Sequence, residues 1–147
     1  MRSIRCGILN NHIYMSKDII VYGSLRPGEY NFSRFKQHYQ DDIKYVKTID
    51  RLKNYELFDL GAYPCVVYNA EPNNNITVDI LRVSDACYEM IYNMEIGAGY
   101  HVEQVTVTDG GETKIYPIFA MMTGYKAQKV ESGDWVKYLK NKYSKNE

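Results

Sequence analysis

An α+β fold is predicted for this chain, a small, mostly antiparallel β-barrel carrying short flanking helices. Three observations predict it. Short β-branched and aromatic runs recur between Gly, Pro and Asn punctuation. Helical periodicity is confined to residues 32–39, residues 84–95 and a segment near the C-terminus. Six or so strands this short gain by closing on themselves, because closure removes exposed edges. At 147 residues the chain has room for one domain and one core.

The first fourteen residues, MRSIRCGILNNHIY, show neither alternation nor a helical stripe. They read as a dispensable leader, with a single domain over 15–147. From Met15 the sequence MSKDIIVYG approaches a buried strand, in which Ile19, Ile20, Val21 and Tyr22 form an apolar run that Gly23 ends. The loop GSLRPGEYN follows, and Asn31 is placed to cap a helix over 32–39 with Phe32, Phe35 and Tyr39 on one face. Strands are expected at 43–49, 55–60 and 65–68. The run EPNNN at 71–75 reads as a turn before another strand over Ile76–Val83.

Ser84 is the expected cap of the next helix, where Cys87, Met90, Ile91 and Met94 repeat at the spacing of one buried stripe. Glu95 follows the last apolar position, and Gly97 and Gly99 end the helix. VEQVTVT, the turn DGG and TKIYPIFAMM read as a hairpin whose apolar positions include Val102, Val105 and Val107. A last short helix should dock Trp135, Tyr138 and Leu139 on the body.

Composition narrows the function classes. Apolar residues at 45% and charged residues at 24% mark a soluble globular protein. Lys plus Arg and Asp plus Glu balance at 18 each, so no overall field favours a nucleic-acid partner. No run reaches the length of a membrane span. A cytoplasmic protein is expected, because Cys6, Cys65 and Cys87 are odd in number, widely spaced and without a CxxC pair. His12, His38 and His101 lack metal-binding spacing, so no metal is expected.

Two places could carry chemistry. Glu95 puts a carboxylate at the negative end of a helix, and partial desolvation there would raise its proton affinity, as a general acid or base near neutral pH requires. Taken by spacing alone, a solvated helix-end charge is the commoner reading. Gly23 lets the backbone turn sharply and aim successive N–H groups at an anion or a developing oxyanion, although an ordinary strand-to-loop turn looks the same. Arg26 could grip a substrate carboxylate, a solvent-facing arginine being the commoner case.

Together, YGSLRPGEYN at 22–31, GAYP at 61–64, the helix ending in Glu95 with Tyr100 five residues on, and ESGDWVKYL at 131–139 resemble the gamma-glutamylcyclotransferase-like, or AIG2-like, family. The resemblance runs through nearly the whole chain from Met15. It implies the BtrG-like fold and a cofactor-independent, metal-free intramolecular aminolysis of a gamma-glutamyl amine or small gamma-glutamyl peptide. The products would be 5-oxoproline and a free amine. By the same resemblance Tyr22, Gly23, Ser24 and Leu25 form the substrate-binding loop, Glu95 is the catalytic acid/base and Tyr100 lines the pocket.

The chain departs from the family's common pattern at two places. Val78-Asp79-Ile80 stands where many members carry Gly-Glu, and His101-Val102-Glu103 where many have an arginine after the tyrosine. Both are expected near the site. The partner expected is a small gamma-glutamyl molecule, with no nucleic acid and no membrane. An alternative keeps the same fold as a non-catalytic small-ligand-binding module, and a third reading uses the 15 tyrosines as a protein-interaction surface.

Overall fold

The computed structural model describes residues 16–124 and 127–144. The proposed leader, residues 1–14, lies outside the described residues. Strand β1 (Ser16–Val21) leads through the 22–29 loop into helix α1 (Tyr30–Tyr39) and a 3₁₀ turn (Gln40–Asp42). Then come β2 (Ile43–Lys53), β3 (Tyr55–Asp59), β4 (Pro64–Tyr68) and β5 (Asn75–Ser84). Helix α2 (Asp85–Gly97) precedes the hairpin β6 (His101–Asp109) and β7 (Glu112–Ala120), a two-residue β8 (Gln128–Lys129) and helix α3 (Trp135–Ser144).

Five strands form one sheet in the order β2-β5-β1-β7-β6, and β4-β3-β8 form a second. All pairings are antiparallel except β1 with β7. The result is a curled half-barrel. Curvature enters at β2, where the register with β5 slips between Tyr45 and Lys47 and again between Ile49 and Leu52, since each extra residue bends and twists the strand. Across the open side, Lys47 Nζ on β2 meets Asp109 Oδ2 on β6 at 2.8 Å. The small sheet is tied to the large one by the Met121 amide, which donates to the Val66 carbonyl at 2.9 Å.

Alternation along the central strand explains two cores. Ile20 and Tyr22 point into a cluster that joins both sheets to α3, with Leu57, Val66, Val78, Ile80, Ile118 and Trp135. Ile19 and Val21 point the other way, into a cluster with Phe35 of α1, Cys87 and Ile91 of α2, and Leu81. A strand covered on both faces is expected to be apolar throughout. Helix α3 is also pinned through Asp59, which accepts hydrogen bonds from Tyr138 Oη at 2.5 Å and Lys142 Nζ at 3.1 Å.

Several local expectations need correction. Helix α1 begins at Tyr30 with Glu29 in the capping position and no side-chain cap. Asn31 is therefore inside the helix, and its Nδ2 donates to Ser24 Oγ at 2.7 Å. The Ser84 cap does form, accepting from the Cys87 amide at 3.1 Å, but Met90 is 52% exposed. The buried stripe of α2 is thus narrower than its apolar spacing suggests, because the helix packs on the sheet through Cys87 and Ile91. Gly110 and Gly111, both at positive φ (62° and 81°), close the β6–β7 hairpin in the conformation that two-residue turns require.

Candidate functional site

Where β1 ends, the chain turns into the 22–29 loop at one end of the barrel. Tyr22 is buried, and its hydroxyl donates to the Phe119 carbonyl on β7 at 2.6 Å. Gly23 is required by close approach: a Cβ there would lie 2.7 Å from Pro64 Cγ, inside contact distance of a ring that cannot swing away. The Arg26 amide donates to the Gly23 carbonyl and the Phe32 amide to the Ser24 carbonyl, both at 3.0 Å. Among the described residues, the turn and side-chain hydrogen bonds around this loop leave the Ser24 and Leu25 amides without an acceptor. Donors so arranged suit an anion or a developing oxyanion.

Arg26 neither lines the cleft nor faces solvent. Its Nε donates to Asp79 Oδ2 at 2.8 Å and its Nη1 to Asp134 Oδ1 at 3.0 Å, with the guanidinium side chain only 11% exposed. Asp79, buried on β5, also accepts from Thr48 Oγ1 at 2.6 Å. Asp134 in turn accepts from the Lys137 amide in the first turn of α3. One arginine therefore ties the loop to the barrel wall and to the start of the last helix.

Glu95 comes from the last turn of α2. The amides of Ala98 and Tyr100 both donate to its backbone carbonyl, at 3.1 and 3.0 Å, and Gly99 at φ 100° turns the chain into β6. Burial pushes the Glu95 carboxyl up to about 7, because the charged form is poorly solvated there. Beside it, the Tyr100 hydroxyl donates to the Pro64 carbonyl. Burial, reinforced by the neighbouring Glu95 charge, raises both Tyr100 and Tyr22, so both phenols stay neutral. Burial likewise lifts the Cys65 thiol to about 11.

These pieces enclose a cleft of about 200 Å³. All six residues singled out in the sequence, Tyr22, Gly23, Ser24, Leu25, Glu95 and Tyr100, line it. So do Asn31, Tyr63, Pro64, Met94, Ala98 and Phe119, which residue-by-residue reasoning did not assign to a site. For Tyr63 and Pro64 the signal was present in the GAYP motif. Phe119 and Met94 carry none, reading as ordinary core positions. The two departures lie outside the lining. Asp79 holds Arg26, while His101 Nε2 and the Tyr55 hydroxyl meet the two carboxylate oxygens of Glu103 at 2.6 and 2.8 Å.

Among the described residues no group of three or more His, Cys, Asp or Glu side chains converges in a way that could hold a metal ion. Nor is any described helix long and apolar enough to cross a membrane.

Comparison with known proteins bears on this geometry. A family model described as gamma-glutamyl cyclotransferase, AIG2-like, matches residues 19–137, a span containing every cleft residue. Solved structures with the same fold include the uncharacterized protein PH0828 from Pyrococcus horikoshii, at 21% identity and TM-score 0.64, covering 87% of this chain and 97% of that one. YkqA from Bacillus subtilis is 27% identical with TM-score 0.66, and the match covers 90% of this chain but 44% of that protein. An AIG2-like protein from Mus musculus is 17% identical with TM-score 0.59, over 72% of this chain and 77% of that one. Comparison with curated proteins gives no match.

Proposed function

The chain belongs to the gamma-glutamyl cyclotransferase, AIG2-like family, and from that premise we propose that it is an enzyme converting a gamma-glutamyl amine or small gamma-glutamyl peptide to 5-oxoproline and a free amine. The observation that carries the proposal is Glu95, a half-buried carboxyl with its proton affinity raised to about 7, placed in one cleft with the Gly23–Leu25 loop. Such a group is populated in both protonation states at neutral pH. That suits a residue which must take a proton and then return it.

The chemistry follows from the substrate. Its α-ammonium must lose a proton before the nitrogen can attack the γ-carbonyl, and Glu95 accepts that proton. The new N–C bond closes a five-membered ring, and the γ-carbonyl oxygen carries the developing negative charge. Collapse of this intermediate breaks the bond to the leaving amine, which takes the proton back from Glu95. Atoms balance without water or any co-reactant. The Ser24 and Leu25 amides are suited to hold either the α-carboxylate or the oxyanion, and folding the glutamyl chain onto its own carbonyl supplies the orientation effect. Cys65 and Cys87 are buried free thiols, in keeping with the reducing cytoplasm as the setting of this reaction.

The test is release of 5-oxoproline from a panel of gamma-glutamyl amines, gamma-glutamyl dipeptides and glutathione, with wild type beside Glu95→Gln at equal folded concentration. Turnover on at least one substrate is expected, falling by about 10²-fold or more in the variant. A folded wild type silent on the whole panel, or a variant as active as wild type, overturns the assignment. Silence would favour the binding-module alternative.

A further inference from the structure

Beyond the reacting atoms, the cleft has a wall that the cyclisation itself does not need. Tyr63, in the loop between β3 and β4, is 46% exposed, and its ring meets Tyr100 edge-on with centroids 6.4 Å apart. Met94 precedes Glu95 on α2 and is partly buried against the same core as Phe119. Phe119 is itself fixed between Tyr88 and Tyr92, each 6.4 Å away. Tyr63, Met94 and Phe119 all line the cleft, giving it an aromatic and thioether surface.

Charge completes the argument. Among the described lining residues there is no Lys, Arg or His, and Glu95 is the sole carboxylate. The nearest arginine in sequence, Arg26, is committed to Asp79 and Asp134. The glutamyl half brings one carboxylate, which the Ser24 and Leu25 amides are suited to meet; an amine with a carboxylate of its own would add another anion to a cleft that already holds Glu95 and whose described lining offers no cation, a cost in a partly desolvated site. An aromatic amine meets a surface that gains from burial and ring contact.

Resting on the cyclotransferase reading above, we infer that the cleft selects gamma-glutamyl amides of uncharged aromatic or apolar amines over gamma-glutamyl amino acids, with Tyr63 as the residue that sets this preference. Tyr63 is not a catalytic residue here. Tyr63 is the most exposed of the four aromatic residues that line the cleft, so we assign it to the leaving half of the substrate, away from the buried Tyr22 and Tyr100, where it discriminates by contact area.

The test separates binding from turnover. Calorimetric titration of folded Glu95→Gln with gamma-glutamyl benzylamide, gamma-glutamylglycine and the gamma-glutamyl amide of a diaminoalkane should rank the benzylamide about tenfold tighter than the glycine conjugate. Adding Tyr63→Ala should weaken the benzylamide about fivefold with less than a twofold change for glycine, and Tyr63→Phe should restore the difference. Because Tyr63 is half exposed, neither substitution opens the core. Equal affinities, a preference for the glycine or the cationic conjugate, a preference indifferent to Tyr63, or no binding of any conjugate overturns the inference. Wild-type turnover without such selectivity would sink the inference and leave the reaction standing. Selective binding without wild-type turnover would do the reverse.

Discussion

Replacing Glu95 by Gln should make the protein more stable at alkaline pH while disabling it. A carboxyl whose proton affinity is raised from 4.5 to about 7 by burial favours its protonated form in the folded state by about 3 kcal/mol. The folded protein then binds more protons than the unfolded chain between those two values, so this group's contribution is fully present below about 4.5 and is lost as pH rises through about 7. Of the total, about 2 kcal/mol falls between pH 5 and pH 8. Glutamine has nearly the same shape and cannot ionise, so it escapes the loss. Urea denaturation of both proteins at pH 5 and pH 8 isolates the effect, since every other titrating group is common to the pair. The stability of the variant relative to wild type should rise by about 2 kcal/mol over that interval. A difference that stays constant, or moves the other way, would refute a desolvated Glu95 and with it the proton-shuttle role.

Two further substitutions probe the loop that faces Glu95. Gly23→Ala places a methyl 2.7 Å from Pro64 Cγ, and the backbone must move to admit it. A loss of about 1–3 kcal/mol is expected, read as a lowered melting temperature, together with reduced 5-oxoproline release. Asp79→Asn keeps the shape but leaves the buried Arg26 with Asp134 as its one carboxylate. Breaking a buried pair costs about 3–5 kcal/mol when no partner remains, so a value near about 3 kcal/mol is expected here, measured as the shift in urea midpoint. A change below about 0.5 kcal/mol would mean that the pair is solvated and does not anchor the loop.

Much of the fold was legible because patterning and turn chemistry agree in this chain. The β-branched run at 19–22, the Ser84 cap and the Gly110–Gly111 turn each have a local physical cause, and each appears where that cause puts it. The start of α1 was less legible. Asn31 is a good capping residue by type, yet its side chain is drawn to Ser24 Oγ, a partner that exists only once the loop has folded back. Met90 fits the apolar stripe of α2, but among the described residues no element covers it. Periodicity reports which residues could share a face, not how wide the covering surface is.

The site divides along the same line between local and long-range causes. Tyr22 through Leu25, Glu95 and Tyr100 were found through motifs, and the fold brings segments about seventy positions apart into one cleft. Arg26 was read from its position in the loop as a candidate substrate ligand. Nothing in the adjacent sequence says that its partners are Asp79, on a strand fifty-three positions away, and Asp134, at the head of a helix one hundred and eight positions away. This has a bearing on the departures from the family pattern. A carboxylate at 79 is needed wherever Arg26 is buried, because the guanidinium cannot shed its charge and must be paired. An aspartate meets that need here with Thr48 occupying its second oxygen. Val78 beside it points into the barrel core, where a glycine would leave space unfilled. The change at 78–80 therefore alters how the loop is held, not what the cleft presents to a substrate. The substrate preference proposed for this chain is then to be sought in the cleft wall, at Tyr63, Met94 and Phe119.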